Sequence, residues 1–119
     1  MSKIHGYAAE GLVARYLEKE GFTILAKNYT CRLGEIDIIG LKKDTVVFVE
    51  VKQRTKSYFA LSELITASKQ KKIIATAKYF LLHNEYSNKI CRFDAALLEG
   101  ALPMPQLTYI PNAFTESGE

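Results

Sequence analysis

A short run of apolar residues, Val46 to Val49, constrains the fold of this chain more than any other feature. Such a run predicts a strand that is covered on both faces of a sheet. The preceding segment GEIDIIG, residues 34–40, predicts a second strand, and a short connection near residues 43–44 would join the two strands as an antiparallel hairpin. The sequence therefore predicts a largely buried hairpin at residues 34–54, with the rest of the chain packed around it.

Charged side chains gather at the open end of this hairpin. Because residues two apart on a strand share a face, a two-residue connection would place Asp37 opposite Glu50. It would also place Glu35 opposite Lys52. A four-residue connection would keep both sets on one face, whereas a three-residue connection would separate them unless a bulge intervened. On either even register, three carboxylates and one amine share a small patch.

This patch is the candidate active site of the sequence. Carboxylates at the end of a buried strand are costly unless they are paired or coordinate a cation, and Lys52 can neutralise at most one of them. Hard divalent cations take oxygen ligands of this kind. We therefore expect Mg²⁺ or Mn²⁺ to bind at Asp37 and Glu50. The alternative is an edge hairpin whose charges face water, with Lys52 in a plain cross-strand ion pair.

The same residues carry a resemblance to known families. Asp37 followed by Glu50-Val51-Lys52 resembles the PD-(D/E)XK phosphodiesterase motif. The strings GEIDIIG, FVEVKQR and Arg92-Phe93-Asp94 resemble the YraN family of small bacterial proteins with a restriction-endonuclease-like fold. The resemblance extends from the first helix to a strand that ends near Leu98. Two departures are that Ile36 replaces the proline of the motif's name, and that residues 57–65 lack a glycine expected in the family.

The resemblance implies a divalent-metal-dependent DNA endonuclease. The spacing of these residues is similar to that of the archaeal Holliday-junction resolvases. This likeness implies branched or single-stranded DNA as the substrate in recombination or repair. It also implies a homodimer as the working form. Lys52 is expected to orient the attacking water or to neutralise charge on the phosphoryl oxygens. The implied catalytic residues are Asp37, Glu50 and Lys52, and the implied metal ligands are Asp37, Glu50 and the Val51 carbonyl, with Glu10 and Glu35 as candidate further ligands.

Periodicity and turn signals predict a single α/β domain over residues 1–119. The predicted elements are a helix at 6–20, a strand at 22–27, a polar loop at 28–33, the hairpin, a long helix at 61–83 capped near Ser62, a strand at 90–98 and a weak edge strand at 107–110. This order matches the αβββαβ core of restriction-endonuclease-like domains, a mixed central sheet flanked by helices, with the core at about 6–98 and an edge strand and tail at 99–119. Arg92 and Asp94 share a strand face and are expected to form a structural pair.

Further candidates flank the hairpin. Glu10 lies on the margin of the apolar stripe of the first helix, where a carboxylate would either help to hold the metal or pair with a lysine. In the second helix, polar residues interrupt the apolar stripe, so at least one of Lys69 and Lys72 must face the fold. That lysine would either contact a phosphate or lay its aliphatic stem over the core and keep its amine in water. The candidate nucleic-acid contacts are Arg32, Arg54, Lys56, Lys69, Gln70 and Lys72.

Composition excludes little. The net charge of +3 permits nucleic-acid binding without arguing for it. Two cysteines far apart in the sequence, together with the lack of an apolar span, favour a cytoplasmic protein. The first alternative function is a non-catalytic nucleic-acid-binding module that assists a helicase or recombination partner. The second is an RNA nuclease, although the related tRNA-splicing endonucleases use a histidine-centred site that this sequence lacks.

Overall fold

The computed structural model describes residues 3–54, 65–101 and 104–116. Within these ranges two helices accompany a five-stranded sheet of order β1-β2-β3-β4-β5. The β3–β4 pair is parallel and the other neighbouring pairs are antiparallel, which confirms the predicted mixed sheet of a small restriction-endonuclease-like domain. The elements are α1 (Lys3–Lys19), β1 (Thr23–Cys31), β2 (Gly34–Lys42), β3 (Thr45–Arg54), α2 (Ala67–His83), β4 (Ile90–Glu99) and β5 (Gln106–Phe114).

The central strand β3 is buried on both faces, as its sequence predicts. Val46 and Phe48 join an apolar cluster that includes Ile73 and Phe80 of α2. The alternate residues of β3, Val47 and Val49, join a second cluster that includes residues 13 and 17 of α1. One helix therefore covers each face of the sheet, because the side chains of β3 alternate between the two faces.

The β2–β3 hairpin has the two-residue connection that the sequence allowed. Lys42 pairs with Thr45 across the turn, and Lys43 adopts a φ of 56°, in the left-handed region typical of tight hairpin turns. The pairing runs only as far as Ile38 and Val49, one step short of the predicted acidic pair. The expected pairing of Glu35 with Lys52 is wrong, because the β2–β3 ladder ends at this point while β2 goes on pairing with β1 on its other edge.

Helix α2 begins later than predicted. Thr66 is extended, with φ −66° and ψ 162°, and its hydroxyl accepts a hydrogen bond from the Lys69 N–H, so the helix begins at Ala67. Most of the predicted first turn, including Ser62, lies outside the described residues. The helix packs closely on the start of β2, where a Cβ on Gly34 would lie 2.8 Å from the Thr76 hydroxyl. Glycine at this position therefore allows α2 to approach the acidic end of the hairpin.

Both edge strands are longer than predicted. β1 continues to Cys31, so residues 28–31, expected in a polar loop, pair with β2 instead. Their polar character suits an edge strand, where one face meets water. β5 continues through Pro111 to Phe114. An edge strand tolerates proline, which lacks a backbone N–H, because only the side that faces its neighbour needs N–H groups for pairing.

Candidate active site

Three acidic side chains from three elements meet in one cleft at the end of β3. Glu10 comes from α1, Asp37 from β2 and Glu50 from β3. The cleft has a volume of about 270 Å³. Its lining consists of Ala9, Glu10, Asp37, Glu50, Val51, Lys52, Gln53 and Arg54.

Asp37 and Glu50 lie side by side where the two hairpin strands separate. Beyond the last paired residues, the Val51 N–H donates a 2.8 Å hydrogen bond to Asp37 Oδ2, so a side chain replaces the next rung of the ladder. The carboxyl groups of Asp37 and Glu50 are close enough to share a hydrogen bond. The structure therefore brings together the two acidic residues of the motif.

Burial and mutual repulsion disturb both carboxyl groups. Burial raises the pKa of Asp37 from 3.8 to about 6, and the charge of Glu10 adds to the increase. The pKa of Glu50, which is only 5% exposed, is raised by burial first and then by the charge of Asp37. Both carboxyl groups therefore hold a proton more readily than exposed carboxyl groups do.

Two amines partly offset this charge, and both approach Glu50. Lys52 Nζ lies 3.5 Å from Glu50 Oε2, and Lys69 Nζ lies 3.3 Å from the same oxygen. Lys69 belongs to α2, which confirms the prediction that one lysine of the polar interruption faces the fold. Both charges lower the pKa of Glu50, although burial and Asp37 outweigh them. The described part of the chain contributes amine groups from both β3 and α2 to the cleft.

Glu10 is buried against the site with one oxygen unsatisfied. Its side chain is pressed toward the body of the protein as expected, and the residue is 8% exposed. Its Oε1 has no hydrogen-bond partner among the described residues. Burial raises the pKa of Glu10, and the charges of Glu35 and Glu50 raise it further, while hydrogen bonding with Asn28 and Asp37 lowers it. An oxygen of this kind is suited to a ligand or water from the cleft.

Other predicted residues lie farther out. Glu35 is exposed and lines a second groove of about 390 Å³ together with Arg32 and Lys72. Gln70 donates a 3.0 Å hydrogen bond to the Ile65 carbonyl, so its amide supports the start of α2 and does not point to the cleft. Arg54 lines the cleft and donates to the Gln53 carbonyl. Lys56 lies outside the described residues.

Two features of the carboxylate environments were missed by sequence reasoning. Asn28, expected in a loop, lies in β1 and reaches Glu10, and its φ of 54° is one that asparagine tolerates better than most residues. The predicted Arg92–Asp94 pair is confirmed, with Arg92 Nη2 donating at 2.9 Å to Asp94 Oδ2. Asp94 also accepts hydrogen bonds from the Tyr109 hydroxyl and the Asn112 N–H of β5. These contacts join distant parts of the sequence, so no local pattern indicates them.

The acidic cleft suits a partly solvated cation better than a closed metal cage. Among the described residues, no group of three or more His, Cys, Asp or Glu side chains has the arrangement of a metal site. Mg²⁺ is commonly held by one or two carboxylates, with waters and substrate phosphates completing its octahedron. The adjacent Asp37 and Glu50 carboxylates, with the unsatisfied Glu10 oxygen near them, fit that requirement.

Comparison with known proteins places the chain in a family. The profile described as "Uncharacterised protein family UPF0102" matches residues 9–98, a segment that contains all three carboxylates of the cleft. The chain belongs to the UPF0102 family, also known as YraN. The predicted family resemblance is thereby confirmed, and it leaves the activity to be argued from the site.

Relatives of similar length support this membership. A UPF0102 protein of Nitrosomonas europaea is 44% identical over 113 residues, covering 94% of each chain. A UPF0102 protein of Lachnoclostridium phytofermentans is 42% identical over 118 residues, covering 98% of this chain and 97% of the relative. The family relationship therefore extends over nearly the whole chain. In this family member, no described helix is long and apolar enough to cross a membrane.

Proposed function

We propose that this protein is a divalent-metal-dependent endonuclease that hydrolyses phosphodiester bonds in DNA. The observation that carries the proposal is the crowding of Glu10, Asp37 and Glu50 in one cleft, with raised pKa values for all three. Burying three carboxyl groups close together lowers the stability of the folded protein. A bound cation would remove that cost and connect the acidic cleft to phosphate chemistry.

The chain's own residues suggest a division of roles. Asp37 and Glu50 would hold Mg²⁺ or Mn²⁺ together with the Val51 backbone carbonyl, and Glu10 would supply a further oxygen. The hydrogen bond from the Val51 N–H fixes Asp37 Oδ2, so the carboxylate is oriented before any ligand arrives. A divalent cation at this position supplies Lewis acidity, lowers the pKa of water and stabilises negative charge on phosphoryl oxygens.

The two lysines would act on the charge of the substrate. Lys52 is the lysine of the motif and lies in the cleft beside Glu50. When a phosphate enters the cleft, the Lys52 amine can move from the Glu50 carboxylate to a phosphoryl oxygen. There it can neutralise the negative charge that grows as the phosphodiester bond breaks. Lys69 approaches the same Glu50 oxygen from α2, and it would help to steady the phosphate.

The proposed substrate is branched or single-stranded DNA, with a homodimer cutting paired strands and a helicase or recombination protein as partner. Arg54 in the cleft and Arg32 and Lys72 in the neighbouring groove provide guanidinium and amine groups suited to backbone phosphates. A single small domain has little surface for reading bases. Selection by DNA shape is therefore favoured over selection by sequence.

Cleavage of labelled junction, flap, single-stranded and duplex DNA with Mg²⁺ or Mn²⁺ tests this function. We expect cleavage by the wild type, and a loss of about 10²–10³-fold or more in Asp37→Asn and Lys52→Ala, since each removes a group that stabilises charge at the reacting phosphate. EDTA should abolish cleavage.

A matched control is available at the other end of the hairpin. Lys89 Nζ lies 3.5 Å from Asp44 Oδ1, the same separation as the Lys52–Glu50 pair, but Asp44 is 84% exposed. Asp44→Asn and Lys89→Ala should therefore leave cleavage unchanged. Wild-type binding without cleavage on every substrate would overturn the nuclease proposal in favour of the non-catalytic module. Equal loss in the control variants would show that the site is elsewhere.

A further inference from the structure

Asn28 has an unusual backbone conformation on β1, the strand that pairs with β2 beside Asp37. It lies in the middle of β1, between Lys27, which pairs with Ile38, and Tyr29, which pairs with Ile36. Its own position in this register is opposite Asp37. Yet its φ is 54°, far from the extended values of the neighbouring strand residues. Asparagine is among the few non-glycine residues that adopt the left-handed region readily, so this φ is compatible with an asparagine side chain.

The side chain of Asn28 has a partner that accounts for this conformation. Its side-chain amide lies within hydrogen-bonding reach of Glu10, which comes from α1 and is only 8% exposed, whereas Asn28 itself is exposed. The Glu10 carboxylate has no lysine or arginine within ion-pair distance among the described residues, and its Oε1 has no hydrogen-bond partner there. The Asn28 amide is therefore a neutral donor to a buried acid that would otherwise depend on other carboxyl groups.

We propose that Asn28 is a positioning residue that orients Glu10 toward the cation-binding cleft. The left-handed turn at Asn28 directs its amide to one oxygen of Glu10, and the other oxygen stays available to a ligand. A neutral amide suits this role because a lysine or arginine would cancel the charge that the cation needs. Outer hydrogen bonds of this kind fix the orientation of ligating side chains and affect metal affinity by about 10–100-fold. The inference rests on the proposed metal-dependent function.

The opposite edge of the sheet supplies a matched control residue. Asn112 in β5 has a φ of 52°, nearly the same backbone conformation as Asn28. Its contact with the buried Asp94 is made by its backbone N–H, at 3.0 Å. Glycine adopts these φ values readily, so Asn28→Gly and Asn112→Gly both keep the backbone conformation and remove only the side chain. Only the first substitution removes a donor to a carboxylate.

The test measures Mn²⁺ affinity by titration calorimetry and compares crystal structures of the metal-free variants. We expect Asn28→Gly to weaken Mn²⁺ binding about tenfold with an unfolding temperature close to that of the wild type, and Asn112→Gly to leave affinity unchanged. Because Asn28 acts through Glu10, adding Asn28→Gly to Glu10→Gln should cause no further loss. In the metal-free Asn28→Gly structure, the Glu10 carboxylate should leave its wild-type position.

Each outcome decides between the claims. Equal Mn²⁺ affinity in Asn28→Gly and wild type would overturn the role of Asn28, and so would a full additional loss in the Glu10→Gln background. If the wild type binds no Mn²⁺, the proposed function fails by itself. The crystal structures then still test Asn28, because a Glu10 carboxylate that stays within about 0.5 Å of its place without the amide is not positioned by it.

Discussion

The sheet contains two buried acidic sites that are built in opposite ways. Asp94, in β4, is 0% exposed and accepts hydrogen bonds from Arg92 Nε and Nη2, from the Tyr109 hydroxyl and from the Asn112 N–H. The acidic cleft instead places three carboxyl groups near one another, and one oxygen of Glu10 has no partner in the described part of the chain. One site has a full set of donors from the protein, and the other leaves a buried oxygen without a partner among the described residues.

This difference separates a structural carboxylate from carboxylates suited to a ligand. The Asp94 network joins β4 to the edge strand β5 and also raises the pKa of Arg92 through its hydrogen bond with Asp94. A buried acid with a full set of donors stabilises the fold and has nothing left to offer a ligand. Asp37 and Glu50 instead lie side by side, and the charge of Asp37 raises the pKa of Glu50, so the pair is suited to a cationic ligand.

The largest expected effect is on the satisfied site. Asp94→Ala should lower the free energy of unfolding by about 3–5 kcal/mol, because it leaves Arg92 and the donors of β5 without their buried acceptor. Urea denaturation monitored by circular dichroism measures this loss. The same loss after Asp44→Ala, at an exposed carboxylate, would contradict the assignment of a structural role to Asp94.

Neutralising the crowded site should have the opposite sign. Asp37→Asn keeps an oxygen for the Val51 N–H and replaces a repelling charge by an amide that can donate to Glu50. We expect it to raise the free energy of unfolding at pH 8 in EDTA by about 1–3 kcal/mol, since a pKa displaced by about two units carries an energy of that order. Urea denaturation of wild type and variant measures the difference. A variant less stable than the wild type under these conditions would show that Asp37 is structural.

The pH dependence of stability sharpens the comparison with a smaller effect. The folded pKa of Asp37, about 6, lies above its ordinary value of 3.8, so the folded protein binds this proton more tightly than the unfolded chain does. The loss of stability caused by Asp37 is absent below pH 4. It grows while the unfolded chain has released this proton and the folded protein still holds it, and it is complete above about pH 6. Metal-free wild type should therefore lose stability relative to Asp37→Asn between pH 4 and 6. A constant difference across this range would contradict the pKa shift of Asp37.

The fold and the centre of the site follow from short-range sequence signals. The apolar run before Glu50 predicts a doubly covered strand, and the connection at residues 43–44 determines the register that brings Asp37 near Glu50. The motif residues on β3 then alternate in a regular way, so their placement needs no knowledge of distant contacts. The inward position of Glu10 follows from helical periodicity for the same reason.

The surroundings of the site depend on contacts that no local pattern encodes. The hairpin ladder ends at Ile38 and Val49, although β2 goes on pairing with β1 and β3 with β4, and this removes the expected pairing of Glu35 with Lys52. The left-handed Asn28 lies in a strand for which polar composition predicted a loop. In each case a tertiary partner overrides the local preference.

Titration of the metal-free protein with Mn²⁺, followed by calorimetry, tests the central claim most directly. If the crowded carboxyl groups form a cation site, the wild type will bind Mn²⁺ and gain thermal stability, Asp37→Asn will lose both effects, and Asp44→Asn will keep both. An absence of Mn²⁺ binding by the wild type, or equal binding by Asp37→Asn, would contradict the account.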